Sequence, residues 1–203
     1  MRVEVHPATA DRFDDVTVAL GGQPCWCLYY RLSAGEYRRT GVEARAELMR
    51  ERVRQSPARS PAPGMVAYAD EEPVGWCGFG PRSEFERLRR SRTIQVIDDR
   101  PVWSVVCFLV RPGFRRQGLA HAMLAGTVKY ARAEHAAGLE GYPVDPGGRR
   151  IDTTFAYVGT TGLFEAAGFQ RVAPTNSHSA GLVRWVMRLD LETSRQVAPI
   201  RPA

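Results

Sequence analysis

The chain has 203 residues, enough for one large domain or two small ones, and its 44% hydrophobic and 25% charged residues are ordinary for a soluble globular protein. The net charge of +6 favours a polyanionic partner, but no long block of like charges resembles a nucleic-acid tail, and the basic stretch ERLRRSR (86–92) is best explained as a solvated helix face. No apolar run approaches the ~20 residues of a membrane helix, so no membrane partner is expected. No secretory signal is expected, and four cysteines make no disulfide scaffold. We therefore expect a cytoplasmic protein.

Strand and helix patterns interleave along the chain. Alternating or continuous apolar runs predict strands over 2–6, 65–70, 73–80, 102–110, 138–144 and 181–191. Helical spacing predicts helices over 11–20, 42–55, 83–92, 118–136 and 160–169. The segment CWCLYYR (25–31) has no clear type, and 145–159 is predicted to be an inserted loop. A hairpin followed by a strand–helix–strand unit indicates a mixed sheet with helices on its faces.

Domain organisation follows from the same survey, which finds no internal repeat and no low-complexity tract. The Pro-rich connection at 56–64 does not by itself mark a domain boundary. We expect residues 1–191 to form a single domain and 192–203 to form a loose C-terminal tail.

The stretch FRRQGLAHAML (114–124) combines a strand end, an Arg-rich turn and a helix start at Gly118. The first N–H groups of a helix have no partner within the helix, so they can converge on an anion. Charge-assisted bonds from these amides contribute about 1.5–3 kcal/mol each, whereas an exposed arginine adds about 0–1 kcal/mol. We therefore expect the backbone to dominate anion binding, with Arg115 and Arg116 steering the ligand.

Neither the P-loop pattern nor the dinucleotide GxGxxG pattern is present. The pattern R-x-x-G-x-A, made by Arg115, Gly118 and Ala120, resembles the pyrophosphate loop of the GNAT (general control-type N-acetyltransferase) superfamily. The stretches PVGWCGF (73–79) and LFEAAGF (163–169) resemble that family's third strand and its short helix ending in Gly-Phe. The resemblance covers roughly residues 2–190. It implies an α/β (mixed α+β) fold with a mostly antiparallel central sheet flanked by helices on both faces.

The resemblance also implies acetyl-CoA, or another acyl-CoA, as the donor. Backbone groups of Phe108, Leu109 and Val110 would pair with the pantetheine arm, and the amide of Leu109 or Val110 would stabilise the oxyanion. The pyrophosphate would be held by the amides of Gln117, Gly118, Leu119 and Ala120. Many family members carry a proton-donating tyrosine at the position of Phe164, which can contact the cofactor but cannot donate a proton.

Two other residues are therefore candidates for acid–base chemistry. Glu140, the candidate base, and Tyr142, the preferred proton donor, share one face of the strand at 138–144, because side chains alternate with a period of two. Tyr157 is an alternative proton donor, as is solvent. Each residue also has a purely structural explanation. Glu140 could be a charged residue near a sheet edge, and Tyr142 could be an aromatic packing residue. Cys107 is most simply a small core residue.

The aromatic segment is predicted to line the acceptor pocket, as the corresponding segment does in the GNAT layout. Trp26, Tyr29 and Tyr30 would then form an aromatic wall. The single C-x-C at 25–27 lacks the paired spacing of a structural zinc site, so no metal site is expected.

These observations predict an N-acetyltransferase that moves an acetyl group from acetyl-CoA to a primary amine, within a ternary complex and without a covalent enzyme intermediate. A small-molecule acceptor is favoured, and the sequence allows a homodimer. The alternatives are a protein lysine or N-terminal acetyltransferase and a non-catalytic acyl-CoA-binding module. An RNA-binding protein that uses residues 86–92 is a third alternative, although a nucleic-acid partner is not expected.

Overall fold

A seven-stranded sheet lies at the centre of the computed structural model, which describes residues 1–149, 151–152 and 156–191. The strands are β1 (Val3–Pro7), β2 (Gly64–Ala69), β3 (Glu72–Pro81), β4 (Trp103–Val110), β5 (Gly138–Gly141), β6 (Gln170–Ser179) and β7 (Leu182–Asp190). Their order across the sheet is β1-β2-β3-β4-β5-β7-β6. Every neighbouring pair is antiparallel except β4 and β5.

Six α-helices accompany the sheet in the described residues. They are α1 (Phe13–Leu20), α2 (Ala34–Arg39), α3 (Val42–Gln55), α4 (Glu86–Arg89), α5 (Leu119–Ala133) and α6 (Thr161–Ala166). A 3₁₀ turn precedes α1, so this helix begins at Phe13 and not at residue 11, where the predicted helix starts. The predicted basic helix over 83–92 is a 3₁₀ turn followed by the four residues of α4. No helix in these ranges is long and apolar enough to cross a membrane.

The two faces of the sheet each carry a hydrophobic core, because side chains alternate along the strands. On one face, α1 and α3 contribute Val16 and Met49 to a core that includes Trp76 of β3. On the other face, α5 and α6 contribute Met123 and Phe164 to a second core. The predicted mixed α/β fold, with a mostly antiparallel sheet and helices on both faces, is thus confirmed.

Strands β4 and β5 part halfway along β4. Their parallel pairing runs from Trp103 opposite Leu139 to Val105 opposite Gly141. Beyond that point β5 ends, and Cys107–Val110 pairs with β3 on one side, while no described strand pairs with Val106–Val110 on the other. The backbone of the last five residues of β4 is therefore open on one edge.

Three local departures from the predicted elements have physical explanations. The strand predicted over 138–144 ends at Gly141, shortly before Pro143, which has no N–H to donate to a ladder. Strand β6 was not predicted because it is polar and contains Pro174, which an edge strand tolerates. Helix α2, which has no counterpart among the predicted elements, begins with a capping box between Ser33 and Glu36.

Two predicted segments fall wholly or partly beyond the described ranges. The expected tail at 192–203 lies outside them. Residue 150 and residues 153–155 of the predicted inserted loop also lie outside them. The described end of that loop forms a 3₁₀ turn, Ala156–Val158, whose residues reach the site described next.

Candidate active site

The turn between β4 and α5 presents a row of free backbone N–H groups. Gly118 precedes the first residue of α5 with φ of 80°, a left-handed conformation that favours glycine. The first helical bond runs from the N–H of Ala122 to the carbonyl of Gly118. The N–H groups of Gln117, Gly118, Leu119 and Ala120 donate to no other described residue. Four amides and the positive end of the helix dipole thus converge where the sequence predicts a pyrophosphate.

Side chains of the same turn fix its shape. Arg115 donates from Nε to the carbonyl of Val110 at 3.1 Å, and Gln117 donates from Nε2 to the carbonyl of Gly113 at 2.9 Å. Arg116 has φ of 63°, an uncommon conformation for a residue with a side chain. The arginine next to the free amides is therefore held in a conformation that costs energy, which is typical of a turn with a binding role.

A cavity of about 420 Å³, here called the loop cavity, lies against this turn and the open edge of β4. Its wall includes eight of the ten residues predicted to contact the cofactor, namely Phe108, Leu109, Val110, Arg115, Arg116, Gly118, Leu119 and Ala120. The remaining wall is formed by Phe114, His121 and Ala156. Gln117 contributes its amide to the turn rather than a side chain to the wall.

Phe164 is the tenth predicted residue, and the structure places it in the core. Its side chain is 0% exposed and packs edge-on against Phe108 and Phe169, with ring centroids 6.0 and 5.0 Å away. It lines neither cavity described here. A phenyl ring suits this apolar position, in which a tyrosine hydroxyl would need a partner.

A second cavity of about 360 Å³, the aromatic cavity, adjoins the first. Its wall consists of Gln23, Cys25, Tyr29, Cys107, Leu109, Arg115 and Tyr157. Leu109 and Arg115 line both cavities, so the two meet at the open end of β4. This arrangement can hold two ligands with their reactive groups side by side.

The structure brings one of the three predicted acceptor residues to the aromatic cavity. Tyr29 lines it and is 42% exposed. Tyr30 is 8% exposed and lies behind the wall, and Trp26 stacks on Phe13 with ring centroids 6.4 Å apart. The segment that carries all three residues folds into turns, in which Trp26 and Cys27 have left-handed backbones with φ of 47° and 54°.

The wall of this cavity carries two thiols, those of the buried Cys107 and the half-buried Cys25. A hydrogen bond with Cys27, followed by burial, raises the pKa of Cys107, and burial raises that of Cys25. Since the thiolate is the nucleophilic form, both residues are poor nucleophiles at neutral pH. The described residues contain no cluster of His, Cys, Asp and Glu side chains placed to hold a metal ion.

Glu140 and Tyr142 do share a face, and both are buried in an ion-pair network. The Glu140 carboxylate accepts from Arg82 at 3.0 Å, from Arg188 at 2.6 Å and from the Tyr142 hydroxyl at 3.0 Å. The Tyr142 hydroxyl also contacts Arg82 and Ser104, and burial raises its pKa. Neither residue lines the two cavities. Their catalytic role remains a prediction beside this evident structural one.

Tyr157 belongs to a different hydrogen-bonded chain. Its hydroxyl lies 3.5 Å from that of Tyr30, which accepts from Nη1 of Arg184 at 3.0 Å. Nε of Arg184 donates to the carbonyl of Tyr142 at 2.7 Å. Arg184 is 5% exposed and forms no ion pair with a described carboxylate. The wall of the aromatic cavity is thus backed by a buried positive charge.

Arg184 was not identified from the sequence, although a signal was present. In LVRWVMRLD, period-two alternation places Arg184 on the same face as the apolar residues Leu182 and Val186. A charged residue within an inward-facing apolar row is rare unless it has a specific role. That pattern could have marked Arg184 before its partners were known.

Comparison with known proteins identifies the family to which the chain belongs. The family model for the acetyltransferase (GNAT) family matches residues 27–143. A comparison with curated proteins found no match.

Similar folds occur among solved structures. The PaiA N-acetyltransferase of Thermoplasma acidophilum in complex with coenzyme A is 12% identical, with a TM-score of 0.51 over 94% of this chain and 99% of that one. The protein yncA of Salmonella typhimurium with its cofactor acetyl-CoA is 15% identical, with a TM-score of 0.56 over 97% of each chain. An N-acetyltransferase of Staphylococcus aureus Mu50 is 11% identical, with a TM-score of 0.55 over 95% of this chain and 100% of that one.

At these low identities, the structural likeness shows a shared fold and no more. The family model, however, covers more than half of the sequence. GNAT acetyltransferases use acetyl-CoA as the acyl donor. The chain therefore belongs to the GNAT family of acetyltransferases.

Proposed function

We propose that this protein is an N-acetyltransferase that moves an acetyl group from acetyl-CoA to the primary amine of a small molecule. The observation that carries the proposal is the meeting of two cavities at Leu109 and Arg115, beside the open edge of β4. The loop cavity would hold the donor and the aromatic cavity the acceptor. We further propose that residues 1–191 act as one catalytic domain in the cytoplasm.

The residues on the donor side fit a CoA thioester. The free N–H groups from Gln117 to Ala120 suit the pyrophosphate, and Arg115 and Arg116 add positive charge on the same side. The unpaired backbone of Phe108–Val110 can bond with the amides of an extended pantetheine arm, as an added strand would. A main-chain N–H of Leu109 or Val110 would stabilise the oxyanion of the tetrahedral intermediate.

Direct transfer from donor to acceptor is favoured over an acyl-enzyme. The cysteines on the cavity wall, Cys25 and Cys107, have raised pKa values and are poor nucleophiles. An amine held in the aromatic cavity can attack the thioester carbon directly once it has lost its proton. Glu140 stays our predicted base, with Tyr142 beside it, although neither lines the cavities.

A small acceptor is favoured by the size of the aromatic cavity. A volume of about 360 Å³ lies at the lower end of the range for small-molecule sites. Tyr29 supplies an aromatic wall, and no Asp or Glu side chain lines this cavity among the described residues. A protein lysine or N-terminus is the second candidate acceptor, because Tyr29 is exposed at the cavity mouth.

The first experiment is isothermal titration of the purified protein with acetyl-CoA and with CoA. We expect micromolar binding that Gly118→Pro abolishes, because proline cannot adopt φ of 80° and has no N–H. Arg116→Ala should only weaken binding, by less than about 10-fold. Arg132→Ala, at the exposed far end of α5, is the matched control and should bind as the wild type does.

The second step is a screen of primary amines for CoA release. Turnover with small amines, but not with lysine peptides or N-terminal peptides, would support the proposal. Absence of acetyl-CoA binding would contradict the acyltransferase assignment. Binding without turnover on any amine would instead indicate a non-catalytic acyl-CoA-binding module.

A further inference from the structure

The departing CoA thiolate needs a proton donor that Phe164 cannot provide. Phe164 is a buried phenyl ring between Phe108 and Phe169 and carries no exchangeable proton. Tyr142 has a hydroxyl, but Arg82, Ser104 and Glu140 already surround it in the core. A donor supplied by the protein in place of solvent is therefore best sought on the cavity walls.

The 3₁₀ turn at 156–158 reaches both cavities with consecutive residues. Ala156 lines the loop cavity, and Tyr157 lines the aromatic cavity together with Leu109 and Cys107. The turn is packed closely against β4, because a Cβ atom built on Gly159 would lie 3.3 Å from the Phe108 ring and 2.8 Å from the Phe164 ring. Tyr157 thus lies on the wall of the aromatic cavity, directly after the residue that reaches the loop cavity in which the thioester would lie.

Two further side chains connect Tyr157 to a buried charge. The Tyr157 and Tyr30 hydroxyls are 3.5 Å apart, and Tyr30 accepts from the Arg184 guanidinium at 3.0 Å. Because Arg184 cannot lose its proton, Tyr30 must accept this bond, and its own O–H is free to donate to Tyr157. The guanidinium has no carboxylate partner among the described residues, so its charge is not cancelled locally.

We propose that Tyr157 donates the proton to the CoA sulfur, and that Tyr30 and Arg184 are positioning residues that stabilise the resulting tyrosinate. The inference rests on the proposed acetyltransferase function. When the carbon–sulfur bond of the tetrahedral intermediate breaks, the sulfur takes the bonding electron pair and then the phenolic proton of Tyr157. The tyrosinate accepts the Tyr30 hydrogen bond and recovers a proton from solvent after CoA leaves, while the proton of the attacking amine goes to the predicted base, Glu140.

The surroundings of Tyr157 are consistent with an acid that stays protonated until it is needed. Burial and the neighbouring Tyr30 raise the pKa of Tyr157, Arg184 lowers it and Tyr29 raises it slightly. The phenol is therefore neutral at physiological pH. Arg184 is the one positive group among these neighbours, and it favours the charged form that appears during the reaction.

Kinetics of matched variants test the assignment. Tyr157→Phe should lower kcat by about 100-fold, the lower end of the range for general acid catalysis, and leave the dissociation constant of acetyl-CoA within about twofold. Tyr30→Phe and Arg184→Gln should each lower kcat by about 10-fold, and Arg184→Lys should restore part of the loss because it keeps the charge. Tyr68→Phe removes a hydroxyl that bonds Asp15, and this control should leave kcat unchanged.

A second readout does not depend on turnover. 3-Fluorotyrosine placed at position 157 provides a fluorine resonance beside the hydroxyl. Saturating CoA should shift this resonance, whereas the same probe at position 68 should not respond. Arg184→Gln should raise the pH at which the resonance at position 157 titrates, because a nearby positive charge is lost.

The outcomes separate this inference from the function on which it rests. Absence of acetyl-CoA binding by the wild-type protein would overturn both. Normal acetyl-CoA binding and turnover, with kcat retained in Tyr157→Phe and lost in Tyr142→Phe, would overturn this inference alone and identify Tyr142 as the donor. A fluorine resonance at position 157 that does not shift when CoA is added would also overturn this inference. Loss of kcat in Tyr157→Phe together with the CoA-induced shift would support it.

Discussion

At the scale of single residues, Glu140 is a fully buried carboxylate shared by two arginines. Its two carboxylate oxygens face Arg82 and Arg188, and Arg188 also bonds Asp98 through both of its terminal nitrogens. Arg82 has Glu140 as its carboxylate partner, whereas Arg188 divides its bonds between Glu140 and Asp98. Removing one partner of a buried ion pair leaves the other charge without compensation, which costs more than the pair itself contributes.

We expect Glu140→Gln to lower the free energy of unfolding by about 3–5 kcal/mol, the usual cost of breaking a buried pair. Urea denaturation followed by tryptophan fluorescence measures this change. Glu86→Gln is the matched control, because Glu86 pairs with Arg89 and Arg90 on the surface and its loss should cost less than about 1 kcal/mol. A Glu140→Gln variant of normal stability that has lost turnover would instead support the predicted role of Glu140 as the base.

At the scale of elements, the seating of α6 on β5 depends on one missing side chain. A Cβ atom at Gly141 would lie 2.0 Å from Cε1 and 2.4 Å from Cζ of Phe164. That ring cannot move aside, because Phe108 and Phe169 pack against it. The end of β5 must therefore be a glycine for the helix to approach the sheet this closely.

Gly141→Ala should consequently destabilise the protein by about 1–3 kcal/mol, as overpacking of a core does. Gly162→Ala is the matched control within α6, because its Cβ would meet nothing within 4 Å, and alanine should be neutral or stabilising there by up to about 1 kcal/mol. Thermal unfolding of both variants checks the contrast. Equal melting temperatures for the two variants would show that the Phe164 ring can shift to accommodate a methyl group at position 141.

The same scale shows which elements the sequence could predict. Strand β4, the Gly118 turn and helix α5 were predictable because a continuous apolar run, a glycine and an alanine-rich periodic stretch follow one another. The path of residues 25–31 was not, since left-handed turns at Trp26 and Cys27 leave no periodic signal. The site divides in the same way. The loop is local in sequence, whereas the contact of Tyr30 with Arg184 joins residues 154 positions apart and needs the tertiary fold.

At the scale of the whole molecule, ion pairs between aspartates and arginines hold connecting segments against β6 and β7, at one side of the sheet. Asp98 pairs with Arg188 of β7, and Asp145 pairs with Arg171 of β6 at 2.6 Å. A hydrogen bond from Arg188 lowers the pKa of Asp98, and bonds from the N–H of Gly147 and from Arg171 lower that of Asp145. These contacts fasten the segment before β4 and the segment after β5 to the β6–β7 side of the molecule.

The direction of these shifts predicts how stability depends on pH. A carboxylate with a lowered folded-state pKa stabilises the fold above its unfolded-state pKa, and that contribution is lost as the pH falls through the folded-state value. The free energy of unfolding should therefore be level near neutrality and start to fall near the ordinary aspartate pKa of about 3.9. Urea denaturation at a series of pH values measures it. Asp98→Asn should be less stable than the wild type at neutral pH and flatter below pH about 4, whereas parallel curves would show that the pair with Arg188 contributes nothing to folding.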